Sequence, residues 1–165
     1  MITPQTYEQL DQIWESDMTD DEKINQTLQL GNEAFDTSIA ILSRVDKLVY
    51  KVYRNVSPAD ALTDGQKFVL GNTYCHITLA QNNVVAIHEM RYSVFAKHPC
   101  YGAFKLETYI GAPIKHNHLA YGTLNFSKAE SHTPPFTEED KAFIQAMVER
   151  MKPALMADAF YTKGV

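Results

Sequence analysis

The chain has 165 residues, of which 45% are hydrophobic, 21% are charged and 11% are aromatic, and its formal net charge is -5. A chain of this length buries roughly 70% of the surface that its unfolded state exposes, which is enough for one core without disulfides or metals. The composition therefore predicts a single domain over residues 1–165 and excludes disordered, collagen-like and low-complexity classes.

The charge distribution argues against two classes of partner. Lys and Arg together number 15 and form no basic run, so nucleic acid and an anionic membrane surface are both disfavoured as partners. The sequence has no apolar run long enough to span a membrane and no secretion signal at its start, and we predict a cytoplasmic protein. In a reducing cytosol, Cys75 and Cys100 are expected to be free thiols unless they have a redox or ligand role.

Helical spacing dominates the first third of the chain. Residues 5–15 place Tyr7, Leu10 and Trp14 three and four positions apart, which predicts one apolar stripe on a helix. The sequence Thr19-Asp20-Asp21-Glu22 has the form of a capping box and predicts the start of a second helix.

The hydrophobic period then changes from the helical value to two. Residues 39–45 and 48–52 alternate in polarity and predict two strands joined by a hairpin near Asp46. Ser57-Pro58-Ala59-Asp60 interrupts the pattern, and we predict a loop with some short helix from there to Gly71.

The middle of the chain is predicted to mix short helices with a strand. Residues 72–81 form a predicted helix that is capped by Asn72 or Thr73, and residues 84–87 form a short apolar strand. Residues 91–105 are a polar and aromatic segment of irregular helical character.

A second hairpin and a long helix complete the predicted fold. Residues 108–115 and 119–127 are strand-like, with a turn at His116-Asn117-His118 and with glycines where a bulge or a close backbone approach is expected. Thr137 is expected to cap a final helix, which Pro153 kinks or ends. This order of elements predicts an α+β fold with helices on an antiparallel sheet.

The second hairpin also carries a family resemblance. Tyr109-Ile110-Gly111-Ala112-Pro113-Ile114, then Tyr121-Gly122-Thr123-Leu124-Asn125-Phe126-Ser127 and Phe136-Thr137-Glu138-Glu139-Asp140 resemble the paired strands and the last helix of a GAF domain. Leu70-Gly71-Asn72-Thr73-Tyr74-Cys75 and His98-Pro99-Cys100-Tyr101 are similar to segments of the GAF modules of bacterial histidine kinases and diguanylate cyclases.

The family resemblance implies a sheet topology and a pocket that the hydrophobic pattern alone does not indicate. It covers about residues 24–151 and implies a central antiparallel sheet of five or six strands, as in the related PAS and GAF folds. The terminal helices would lie on one face, and the middle segments would cover a small-molecule pocket on the other.

Two cysteine-histidine pairs fall in the segments that the resemblance places around the pocket. Cys75-His76 and His98-Pro99-Cys100 allow three interpretations, namely simple packing, a redox-responsive pair or reversible disulfide, and a metal site. A thiol near a helix start and beside a histidine can have a lowered pKa. Adjacent Cys75 and His76 do not aim easily at one ion, so we predict no metal site.

Aromatic and histidine residues supply the remaining candidates. Five residues form an aromatic-rich run that would line a pocket or pack as a lid: Tyr92, Phe95, Tyr101, Phe104 and Tyr109. The complete set of ligand-pocket or redox candidates is Tyr74, Cys75, His76, His98, Cys100, Tyr101 and Tyr109. His116 and His118 are expected to be solvated turn residues, and neither His88 nor His132 has a partner that the sequence indicates.

The leading functional hypothesis is a sensory or regulatory module that is not an enzyme. An unknown small molecule or a redox change would act through the terminal helices on an output domain, in a longer chain or in trans, within a homodimer. The apolar faces of Tyr7, Leu10 and Trp14, and of Met147, Met151 and Leu155, would supply the dimer contact.

Three alternatives depend on the same resemblance. A free methionine-R-sulfoxide reductase of GAF fold would use Cys75 and Cys100 as attacking and resolving thiols. A chromophore module would attach its pigment through a cysteine near Cys100, although the usual cysteine-histidine order is absent there. Cyclic-nucleotide binding stays open, but the N-K-x-x-x-D-E pattern of phosphodiesterase GAF domains is missing. The sequence names neither the ligand nor a cofactor.

Overall fold

Two helices open the chain, and threonine side chains cap both of them. The computed structural model describes residues 1–165 apart from the side chain of Asp60. Helix α1 (Pro4–Glu15) begins after Thr3, and helix α2 (Asp20–Phe35) begins after Thr19 in the predicted capping box. Each cap accepts a backbone N–H that would otherwise lack a partner inside the helix.

Six antiparallel strands form one sheet. Their bounds are β1 (Ile39–Asp46), β2 (Val49–Val56), β3 (Lys67–Val69), β4 (Val85–Ile87), β5 (Thr108–His116) and β6 (Leu119–Lys128). The strands lie in the order β3-β2-β1-β6-β5-β4, with the predicted hairpins β1–β2 and β5–β6 as neighbours. Asn117 and His118 make the second hairpin turn with positive φ angles of 51° and 64°, which is the conformation of a two-residue turn that follows the strand twist.

The remaining helices divide between the two faces of the sheet. Helix α3 (Tyr74–Gln81) and helix α4 (Pro99–Phe104) lie on one side, while α5 (Glu138–Ala157) packs with α1 and α2 on the other. Helix α6 (Ala159–Thr162) follows α5 directly. The predicted α+β sheet of five or six strands between terminal helices and a covering segment is confirmed.

The larger core lies between the sheet and the terminal helices. Its fully buried side chains include Leu10, Met147, Met151 and Leu155, and Tyr7 packs edge-on against Phe143. Leu10, Met147, Met151 and Leu155 are therefore not free for the predicted dimer contact, because this chain buries them in its own core. Tyr7 and Trp14 are partly buried against the same core, and the Trp14 indole N–H donates to Thr27 Oγ1 at 2.9 Å.

Four local predictions are corrected. Strand β3 was expected to be a loop, because only Phe68 of its three residues points inward at the edge of the sheet. Leu48 belongs to the turn, and β2 continues to Val56. Thr73 is the N-cap residue of α3, but its side chain makes no capping bond and its hydroxyl donates to the Leu70 carbonyl. Helix α5 does not end at Pro153 but continues to Ala157, with Leu155 buried beyond the proline.

Both hairpin glycines sit where a side chain has no room, as the sequence predicts. The ring of Tyr109 lies over Gly111, and the backbone carbonyl of Ser43 lies against Gly122. A Cβ atom at either position would overlap these groups. No helix in the described part of the chain combines the length and apolarity needed to cross a membrane.

The contact at Gly122 predicts a stability difference between two glycine variants. Gly122→Ala should destabilise the fold by about 1–3 kcal/mol, because the new methyl group displaces the Ser43 carbonyl and with it β1. Gly102→Ala is the matched control, since Gly102 lies in α4 with no atom near its Cβ position and a helical alanine is favoured over glycine. Urea unfolding measures both, and an unchanged midpoint for Gly122→Ala would contradict the contact.

Candidate functional site

A cavity of about 180 Å³ lies between the sheet and the covering helices. On the sheet side it is lined by Ile39, Ile41, Tyr50, Phe68, Asn125 and Ser127, and on the covering side by Tyr74, Phe104 and Leu106. The period of two in β6 sends Leu124 and Phe126 to the terminal-helix core and Asn125 and Ser127 to the cavity.

Aromatic rings form most of the covering wall. Tyr74 stacks on Tyr109 with ring centres 5.4 Å apart, and Phe68 meets Phe104 edge-on at 5.5 Å. The Tyr74 hydroxyl donates to the Leu106 carbonyl at 2.7 Å and accepts the Leu106 N–H at 3.0 Å. These bonds hold the start of α3 against the chain that follows α4, which closes the cavity on that side.

A buried polar network lies beneath the cavity. We use this name for Ser43, Cys75, Thr78, Tyr109, Thr123 and Asn125. The Asn125 carboxamide donates to Cys75 Sγ at 3.2 Å and to Thr123 Oγ1 at 3.0 Å, and Thr123 Oγ1 also bonds to Cys75 and to Ser43 Oγ. Thr78 and Tyr109 bond through their hydroxyls at 2.6 Å. Every fully buried side-chain nitrogen and oxygen of the described residues has a hydrogen-bond partner.

The polar network continues to the C-terminal helix. The hydroxyl of Tyr161, a residue fully buried in α6, donates to the Ser43 carbonyl at 2.9 Å. Ser43 lies at a register shift of β1 against β2, and its Oγ accepts the backbone N–H of Thr123 at 2.9 Å. One chain of hydrogen bonds therefore joins the underside of the cavity to α6.

Arg44 holds α6 from the next position of the same strand. Its guanidinium donates to the carbonyls of Tyr161 at 2.6 Å and Thr162 at 3.1 Å, and it packs over the Tyr121 ring at 4.9 Å. Helix C-terminal carbonyls carry partial negative charge, so a cation at this end is favourable. These bonds place the last helix against β1.

Helix α4 is attached to the sheet by a buried carboxylate. Glu107 accepts hydrogen bonds from the Tyr101 hydroxyl and from the backbone N–H and Nε of Arg91, the latter two at 3.1 and 3.3 Å. Burial alone would raise the pKa of Glu107, but the bonds from Tyr101 and Arg91 bring it below its ordinary value. Tyr101 is therefore a residue that holds α4 and does not line the cavity.

His76 and His98 form a pair at the protein surface. His98 Nδ1 accepts the Cys100 backbone N–H at 3.0 Å and so caps α4. A neutral His98 then carries its proton on Nε2, and this N–H donates a hydrogen bond to His76 Nδ1 at 2.8 Å. Burial, and after it the neighbouring His76, lowers the pKa of His98, which favours this neutral arrangement. The two rings lie outside the cavity lining.

Both cysteines are buried, and their thiols are protonated at neutral pH. Cys75 joins the polar network, while Cys100 packs in a separate apolar cluster with Met90 and Tyr109. Burial raises the pKa of the Cys75 thiol and raises that of Cys100 to about 11. The expectation of a lowered thiol pKa at the helix starts is wrong, because loss of hydration outweighs the hydrogen bonds made to the sulfur.

The family is decided by a match over most of the chain. The model of the GAF domain matches residues 21–155. The chain belongs to the GAF domain family. A comparison with curated proteins found no match.

Solved structures show the same GAF fold at low identity. The GAF domain of a Coxiella burnetii phosphoenolpyruvate-protein phosphotransferase has a TM-score of 0.72 at 16% identity, over 93% of this chain and 92% of that one. A Neisseria meningitidis free methionine-R-sulfoxide reductase in complex with its substrate gives 0.70 at 15%, over 93% and 91%. The chromophore-binding domain of a Stigmatella aurantiaca bacteriophytochrome gives 0.72 at 15%, over 93% and 59%.

Only some of the predicted site residues of this GAF domain line the cavity. Tyr74, Cys75 and Tyr109 line the cavity, whereas His76, His98, Cys100 and Tyr101 serve the surface pair, the cap and the attachment of α4. Within the part of the chain that the structure describes, no group of three or more potential metal ligands lies together.

Several cavity residues escaped the sequence analysis of this GAF domain. Asn125, Ser127 and Tyr50 were not among the candidates, and neither were Ser43 and Thr123 of the polar network. The signal was present in β6, where three polar residues alternate with Leu124 and Phe126. Polar positions facing a covered side of a sheet indicate an internal polar site.

Thiol labelling tests the burial of the two cysteines. Ellman's reagent at pH 7.5 should release almost no signal within minutes from the native protein and two equivalents per chain in guanidinium chloride, because both thiols are buried and protonated. One equivalent released at once from the native protein would indicate a thiolate, and would favour the redox and reductase hypotheses.

Proposed function

We propose that this GAF domain is a sensory and regulatory module. A small molecule occupies the cavity, and the change is passed to the terminal helices, α6 above all, and from there to an output domain or a partner protein. The observation that carries the proposal is the hydrogen-bond chain from Cys75 and Asn125 through Thr123 and Ser43 to Tyr161. It gives an occupant of the cavity a physical means to change the position of α6.

The location of the chain's register shift supports transmission through Ser43. Strands β1 and β2 change register between Leu42 and Ser43, so the carbonyl that receives the Tyr161 hydroxyl lies where the ladder is irregular. A register shift locally disrupts the ladder, so strand pairing constrains this position less than one inside a regular ladder. Tyr161 and Arg44 then transfer the movement of β1 to α6.

Two features support a regulatory role over a catalytic one. The thiols lie in different clusters and have raised pKa values, which suits packing better than the attack and resolution steps of a reductase. The cavity, at about 180 Å³, is also below the roughly 300–1,000 Å³ typical of sites for drug-sized ligands, and this favours a small ligand over a pigment. We infer that the domain is a binding module that makes no covalent intermediate.

The output and the assembly state follow from the motif resemblance alone. We infer an output of the kind served by sensory GAF modules of bacterial histidine kinases and diguanylate cyclases, attached in a longer chain or met in trans. A homodimer through the terminal helices is part of this proposal. Its contact has to use the outward faces of those helices, because Leu10, Met147 and Met151 are internal.

A pair of threonine variants tests the transmission without any ligand. Thr123→Val removes the hydroxyl that joins Cys75 and Asn125 to Ser43, and hydrogen exchange at the backbone amides of residues 161–163, which make the hydrogen bonds of α6, should become up to about tenfold faster. Thr78→Val is the matched control, because it breaks the bond to Tyr109 in the same network but leaves the link to Ser43 intact.

Thr123→Val removes three hydrogen bonds and Thr78→Val removes one, so the α6 rates of each variant are compared with the rates of its own most protected amides, which report global unfolding. Equal acceleration in both variants, or none in either, would contradict transmission through Thr123 and Ser43.

A further inference from the structure

The size and shape of the cavity limit what it can hold. Its volume of about 180 Å³ is slightly above the roughly 150 Å³ of an engineered protein cavity that binds benzene. Aromatic rings of Phe68, Tyr74 and Phe104 line it, and such rings favour edge-on or offset contact with another ring. One six-membered or fused bicyclic ring therefore fits within it.

The lining supplies no partner for a charged ligand. None of the described side chains that border the cavity carries a charge at neutral pH. The nearby Glu107 is turned to Tyr101 and Arg91. Because an unpaired charge is costly to move out of water, a carboxylate, a phosphate, an ammonium group or a zwitterionic amino acid would be excluded.

Two polar atoms in β6 are nevertheless free to meet an occupant. The nitrogen of the Asn125 carboxamide is used by Cys75 and Thr123, but its oxygen makes no hydrogen bond with any described residue. The Ser127 hydroxyl likewise has no bond within the described chain. Both side chains are about 97–98% buried, and no fully enclosed polar atom of the described residues lacks a partner, so the free atoms face the cavity.

We propose that the cavity binds a small uncharged aromatic molecule with one hydrogen-bond donor, of the phenol or indole class. Its O–H or N–H donates to the Asn125 carboxamide oxygen, and its ring lies among Phe68, Tyr74 and Phe104. This assignment rests on the proposed function, because it takes the cavity to be the sensory site, and it adds the chemical class of the ligand. An occupant bonded to Asn125 acts directly on the polar network.

A panel of one-ring probes tests the ligand class. Phenol is compared with benzene, which lacks the donor, with cyclohexanol, which lacks the aromatic ring, and with the charged benzoate and benzylammonium ions. Titration is followed by NMR of isoleucine methyl groups. Signals of Ile39 and Ile41, which line the cavity, should shift with phenol, and those of Ile24 and Ile144 in the other core should not.

We expect phenol to bind about tenfold more tightly than benzene, since one hydrogen bond is gained, and the two ions not to bind. Asn125→Leu should remove the preference for phenol and keep benzene binding. The wild-type ratio of the two affinities stands as a test even where that variant does not fold.

The possible outcomes separate the ligand class from the sensory role. Binding of benzoate, benzylammonium or cyclohexanol as tight as that of phenol overturns the ligand class and leaves the cavity as a binding site. No shift of Ile39 or Ile41 with any probe overturns the inference as a whole. Failure of the sensory role is detected independently by the threonine variants, which need no ligand.

Discussion

The hydroxyl of Thr123 joins the two halves of this GAF domain. On one side it contacts Cys75 and Asn125 beneath the cavity, and on the other it contacts Ser43, whose carbonyl receives Tyr161 of the last helix. A buried hydroxyl has few donors and acceptors to share, so a change at one partner alters what remains for the others. The hydrogen bonds beneath the cavity and the bond from Tyr161 of α6 therefore meet at Ser43.

Hydrogen bonds among the members of the polar network offset the cost of burying their polar groups. The Cys75 thiol stays protonated and receives hydrogen bonds, since burial raises its pKa. Gly111 and Gly122 make the arrangement possible, because Tyr109 lies over the first and the Ser43 carbonyl lies against the second. Above the network, the aromatic stack and the bonds between Tyr74 and Leu106 hold the covering segment, so an apolar space persists over a polar base.

Much of the fold could be predicted from local signals. The capping box at Thr19, the cap at Thr137, the strands β5 and β6 and the turn at Asn117 all depend on signals within a few residues, and each appears as expected. The candidate site was harder to predict from the sequence. Tyr161 meets Ser43 across 118 positions of sequence, and no period or spacing relates residues so far apart. Burial determines the protonation state of the cysteines. The raised pKa of Cys100 results from packing, which the spacing of residues in the sequence does not indicate.

Hydrogen exchange at residues 161–163 measures the proposed coupling between the cavity and α6 directly. The exchange rates are compared with the cavity empty and with the cavity filled by phenol, occupancy being read from the methyl signals of Ile39 and Ile41. We expect a change in the α6 rates that disappears in Thr123→Val and persists in Thr78→Val. Full occupancy with unchanged α6 rates in the wild-type protein would contradict it.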